Sequence, residues 1–75
     1  MIGQRLADAR RANGLSVDEV AARTKLRPRI IEAIEHDDYE LSGGDVYVVG
    51  HLRMIADAVG EDPEDVVQEY RNGAR

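Results

Sequence analysis

Two helix-start signals stand close together between Leu15 and Glu35, LSVDEVAARTKLRPRIIEAIE, and they constrain the fold more than any other stretch. Ser16-x-x-Glu19 has the form of a capping box, in which hydroxyl and carboxylate each satisfy a backbone N–H left open at a helix start. Val17, Val20 and Ala21 then fall on one side of a helix that stops near Thr24. Pro28 marks the second start. Its missing N–H is harmless at a first helical position, and its ring biases Arg27 away from helical geometry. Lys25, Leu26 and Arg27 are left as a tight turn, and Ile30, Ile31 and Ile34 become the apolar side of the next helix.

The same kinds of signal run in both directions from this helix-turn-helix. Ile2, Leu6 and Ala9 recur at helical spacing, and Asn13-Gly14 ends that first helix. Residues 38–44, with Ser42, Gly43 and Gly44, read as a loop. Asp45 reads as the N-cap of a fourth helix running to Val59 and ending at Gly60. Asp62-Pro63-Glu64-Asp65 starts a fifth, with Val66, Val67 and Tyr70 facing in, which runs to about Arg71 and closes at Asn72-Gly73. The expected fold class is all-α: a compact five-helix bundle containing a helix-turn-helix, with residues 1–75 as one domain. A chain this short buries only ~60% of its unfolded surface, and it has no cysteine to staple it, so its stability rests on helix packing. The absence of cysteine fits a reducing cytosol. No apolar run is long enough to span a bilayer and no signal peptide is visible, so any membrane anchor is expected beyond Arg75.

The net charge of −5 is unevenly spread. Residues 1–29 hold seven basic against three acidic residues, and residues 30–75 hold three basic against twelve acidic. Such poles can orient a domain on an anionic surface despite a negative total. Arg23, Lys25, Arg27 and Arg29 form a compact basic cluster around the turn. It could hold phosphates, a carboxylate-rich protein face or anionic headgroups. Alternatively it pairs with Asp18, Glu19 and Glu32, an arrangement that contributes only ~0–1 kcal/mol per exposed pair.

Helix four carries two apolar stripes. Val48, Val49, Leu52, Ile55, Ala56 and Val59 form the wider one, and Tyr47, His51, Met54 and Ala58 form another, leaving Gly50, Arg53 and Asp57 on the wet side. A helix apolar on most sides is normally central to its bundle, and on that ground both stripes read first as core. The competing expectation is that the second stripe, with Val48 and Ile55 at its border, is partly exposed and meets a partner.

In a helix-turn-helix the second helix enters the major groove. Here it offers Arg29, which can bond bidentately to guanine, beside Glu32, which can accept only from cytosine and would sit near phosphates. With Arg27 and His36 these residues form the DNA-reading alternative, which the two acids at Asp18 and Glu19 further disfavour. Enzyme chemistry finds little support: there is no cysteine nucleophile, no phosphate-binding glycine loop, and His36 and His51 have no metal-ligand spacing. No catalytic residue, metal or cofactor is expected.

Several motifs together match a known pattern. Ile2-Gly3-x-Arg5-Leu6-x-x-Ala9-Arg10, Gly14-Leu15-Ser16, Leu26-Arg27-Pro28-Arg29 and Ile31-Glu32-Ala33-Ile34-Glu35 are shared with many repressor-like domains. Gly44-Asp45-Val46-Tyr47-x-x-Gly50-x-Leu52-Arg53-x-x-Ala56, followed by Gly60 and Asp62-Pro63, is more specific. The chain resembles the N-terminal cytoplasmic helix-turn-helix domain of RodZ-type proteins over nearly its whole length. The resemblance implies a cytoplasmic domain followed by a linker, a transmembrane helix and an extracytoplasmic part, with a role in cell shape and envelope growth. It implies docking on a protein partner, the actin-like filament protein MreB or another division or growth protein, through aromatic residues on helix four. The matching positions here carry His51 and Ile55, neither aromatic. The expected partner-binding residues are Tyr47, Val48, His51, Ile55 and Lys25.

Overall fold

The computed structural model describes residues 1–73. Five α-helices follow one another: α1 (Ile2–Ala12), α2 (Val17–Thr24), α3 (Pro28–Glu35), α4 (Asp45–Ala58) and α5 (Pro63–Gly73). Among the described residues there is no strand. The capping box forms as expected, with Ser16 Oγ accepting from the Glu19 N–H and Glu19 Oε1 accepting from the Ser16 N–H. Lys25 then takes a left-handed conformation at φ 62°, which turns the chain between α2 and α3.

Three boundaries differ from the sequence reading. Residues 40–42 form a single 3-10 turn within the expected loop. Asp45 is the first residue of α4 and Gly44 is its N-cap. The reason lies in tertiary contact: the Asp45 carboxylate accepts a 2.6 Å hydrogen bond from the Tyr70 hydroxyl. Helix α5 runs through Asn72 and Gly73, with the Gln68 amide donating to Asn72 one turn on.

The core is built around α4. Val48, Leu52, Ile55, Ala56 and Val59 are buried against Leu6, Val20, Ile31, Ile34, Val66 and Val67 from the other four helices. Full burial of such a side chain contributes ~1.5–3 kcal/mol, so a stripe of this kind decides which way α4 faces. Helix α4 packs mainly on α5 and also on α2.

Helix α1 is fastened to α3 by close backbone approach and by charge. A Cβ at Gly3 would lie 2.4 Å from the Glu35 carbonyl oxygen, so no larger residue fits there without movement. The Gly3 N–H donates to Asp37 Oδ1, which also accepts from the Tyr39 hydroxyl. Arg10 grips Glu35 through two hydrogen bonds of 2.7 and 3.1 Å and donates a third to the Leu15 carbonyl. That guanidinium therefore holds α1, the start of the helix-turn-helix and the end of α3 together. Tyr39 and Tyr70 close the bottom of the core edge to face, 5.3 Å between ring centroids.

Candidate functional site

The residues singled out on α4 separate into two groups. Val48 is 2% exposed and Ile55 is 1% exposed, so the expectation that they border a partner-binding face is corrected: both belong to the packed core. They fall on the same helical stripe as Leu52 and Val59, which the bundle needs for its interior. The reading of the second stripe as core is corrected as well. Tyr47 is 63% exposed and Met54 is 40% exposed, while Ala58 is half-buried.

His51 lies between these groups. It is half-buried, and its Nδ1 shares a 2.9 Å hydrogen bond with Ser42 Oγ in the 3-10 turn. Burial holds its imidazolium below the ordinary histidine range. Its ring is therefore committed mainly to the fold.

Val46 stands out beside Tyr47, at 83% exposure. The sequence carried a signal for it, because Val46 falls on the same side of α4 as the wet residues Gly50, Arg53 and Asp57. Leu41, in the 3-10 turn, is also exposed. Helix α4 thus presents an outward ridge of Val46, Tyr47, Arg53, Met54 and Asp57 around half-buried Gly50. Shallow recesses flank it. One, of about 310 Å³, is lined by Asp45, Val46, Val49, Arg53, Tyr70 and Arg71. The other, of about 360 Å³, is lined by Arg23, Thr24, Met54, Asp57 and Ala58.

The basic turn is open. Arg23, Lys25, Arg27 and Arg29 are exposed, and among the described residues none of them forms an ion pair. The pairing with Asp18, Glu19 and Glu32 considered from sequence is absent for a physical reason at Glu19. The Ser16 backbone and side chain hold that carboxyl below the usual range, with Arg23 adding a smaller attraction. Other arginines are spent elsewhere: Arg5 binds Glu61 and Glu69, Arg10 binds Glu35, and Arg53 binds Glu64. Because Arg23 and Met54 line the same recess, the basic turn and the α4 ridge form one continuous surface.

The outward side of α3 carries Arg29, Glu32 and His36, all exposed, with Ala33 half-buried. The His36 Nδ1–H donates to the Glu32 carbonyl, which ties that ring to the last turn of its own helix. Arg27 and Arg29, with Ile30 and Leu41, line a smaller recess at the start of α3. Among the described residues, no group of three His, Asp or Glu side chains is placed to hold a metal ion. Likewise, no described helix is long and apolar enough to cross a membrane.

A five-helix bundle with a turn of this geometry defines a helix-turn-helix scaffold. Residues 5–66 match the family model described as a helix-turn-helix domain, and the chain belongs to that family. Its domain is of the RodZ type. It is 34% identical over 73 residues to the cytoskeleton protein RodZ of Streptococcus pneumoniae, a match covering 97% of this chain and 26% of that protein. It is 32% identical over 57 residues to the uncharacterized membrane protein YmfM of Bacillus subtilis, covering 76% of this chain and 20% of that protein. The chain thus spans about a quarter or less of the curated relatives it matches. No solved structure matches it significantly.

Proposed function

We propose that this chain is the non-catalytic cytoplasmic interaction domain of a RodZ-like, membrane-tethered cell-shape protein. It docks a cytoskeletal or division protein, an MreB-like filament or another growth protein, through the α4 ridge and the basic turn. One observation carries the reading: Met54, on the exposed α4 ridge with Val46 and Tyr47, shares a recess with exposed Arg23 beside the basic turn. Exposed aromatic and arginine side chains on one face are the kinds of residue that dominate protein interfaces. The relatives support the setting, since one is named a cytoskeleton protein and the other a membrane protein. The contact set differs from the one expected from sequence. Tyr47, Lys25 and the edge of His51 stay, Val46, Met54 and Arg23 join, and Val48 and Ile55 leave.

The competing reading, a sequence-specific DNA-binding regulator, draws on exposed Arg27 and Arg29 at the start of α3. It is opposed by Glu32 on the same outward side and by the net charge of −5. Two measurements separate the readings. Co-sedimentation with MreB-like filaments is expected to retain the domain and to lose it on Tyr47→Asp plus Met54→Asp. Titration with DNA at low and high salt is expected to give no specific complex. A specific complex with a steep salt slope, abolished by Arg29→Ala, would instead make the domain a DNA reader.

A further inference from the structure

We propose that, when the partner of the proposed function does not occupy the α4 ridge, two copies of this domain associate weakly through it, packed antiparallel across Gly50. Gly50 lies inside α4, and a Cβ built there meets nothing within 4 Å. No positive φ calls for glycine either, since Gly50 is absent from the left-handed positions. Glycine is a poor residue for a helix interior, and neither backbone nor internal packing accounts for it here. The remaining physical reason is close approach by another backbone. Gly3 displays that relation within the chain, where the α1 backbone meets α3.

The surroundings of Gly50 say which backbone fits. Val46, Tyr47 and Met54 are three of the five large hydrophobic residues exposed among those described. They bracket Gly50, one pair a turn before it and Met54 a turn after it. Arg53 has its N–H edge held by both carboxylate oxygens of Glu64, at 2.9 and 3.2 Å, which leaves the flat faces of the guanidinium for stacking. In an antiparallel pair centred on Gly50, the Val46–Tyr47 turn of one copy lies against the Arg53–Met54 turn of the other. Apolar surface then meets apolar surface, and a tyrosine ring meets a thioether and a guanidinium, both favourable neighbours. A parallel pair would set Arg53 against Arg53. The ridge is therefore complementary to itself under a two-fold operation, as an isologous contact requires.

One helix face is smaller than the ~1,200–2,000 Å² that stable complexes bury, so the association is weak and needs concentrated protein. Each copy also carries a net charge of −5. Added salt screens that repulsion and strengthens the pair, whereas it would weaken docking of the basic turn on an acidic partner.

Because the chain has no cysteine, single substitutions give single thiols. Tyr47→Cys and Met54→Cys, both at exposed positions, are mixed and oxidised at high protein concentration. The 47–54 mixed disulfide is expected to exceed the 47–47 and 54–54 species. It should also exceed an Ala22→Cys plus Gln68→Cys control about tenfold, as an effective-concentration gain implies. Sedimentation of the unmodified chain should show a monomer–dimer equilibrium that shifts toward dimer with salt. Gly50→Leu should return it to monomer without lowering the melting temperature. An unmodified chain that stays monomeric, or mixed disulfides no faster than the control, overturns the proposal and leaves the ridge to a different protein. Dominant 47–47 and 54–54 species overturn the antiparallel arrangement.

Discussion

At Gly3 an added methyl group would land 2.4 Å from the Glu35 carbonyl oxygen and 2.6 Å from that of Ile34. These are backbone atoms, so relief requires α1 to move off α3. Alanine gains about 1 kcal/mol in helix propensity over glycine, but overpacking against rigid neighbours costs ~1–3 kcal/mol. Gly3→Ala should therefore lower the urea midpoint, and a midpoint at or above that of the parent would show that α1 shifts freely. His51 gives a second prediction at this scale. Burial places its pKa below the ordinary 6.5. Between that lowered value and 6.5, the unfolded chain binds a proton that the folded chain refuses. Stability is thus intact above this window and falls as pH is lowered through it. The denaturation midpoint should decline as pH falls below 6.5, and His51→Gln should flatten the decline. An unchanged slope in the variant would assign the titration to another group.

At the level of elements, what could be read from sequence follows from where each signal resides. The five helices were legible because their starts and the turn are local chemistry: Ser16 with Glu19, Pro28 after Arg27, and Asp62 before Pro63. Asp62 does accept from the Glu64 and Asp65 N–H groups, as that motif requires. The 3-10 turn at 40–42 is too short to carry a period. Asp45 looked like a cap because its type suits one, and only its hydrogen bond to Tyr70, 25 positions away, diverts it. The exposure of the candidate site was half legible. Tyr47 and the basic turn could be named from composition and spacing. Periodicity sorts α4 into stripes without telling which side the other helices cover, so it leaves buried Val48 and Ile55 at the border of a contact stripe and does not single out exposed Val46. The commitment of Glu19 to Ser16, which leaves Arg23 with no ion pair among the described residues, is a second consequence of the capping box: it competes for charge as well as starting a helix.

For the whole molecule, charge and stability are carried by different residues. Arg5 and Arg10 work inside the fold, and Arg10–Glu35 is largely shielded from solvent, with side-chain exposures of 12% and 8%. Among the described residues, Arg23, Arg27 and Arg29 hold no ion pair. Replacing these three with serine should change the unfolding free energy by no more than about 0.5 kcal/mol per site, the range of ordinary surface substitutions. It should also weaken partner capture and its salt dependence together. A large loss of stability in the triple variant would mean that the turn is needed by the fold itself.

The hydrogen bond between Tyr70 and Asp45, with the Arg53–Glu64 pair beside it, has a mechanical meaning. Under the tethered arrangement proposed above, tension would arrive through α5. Helix α5 is clamped directly to the first turn and the middle of α4, so a pull from the anchor reaches the docking ridge without crossing the helix-turn-helix. The shortest load path is one helix pair long, with α1 braced against it through the Arg5–Glu69 ion pair and α2 packed on α4 beside it.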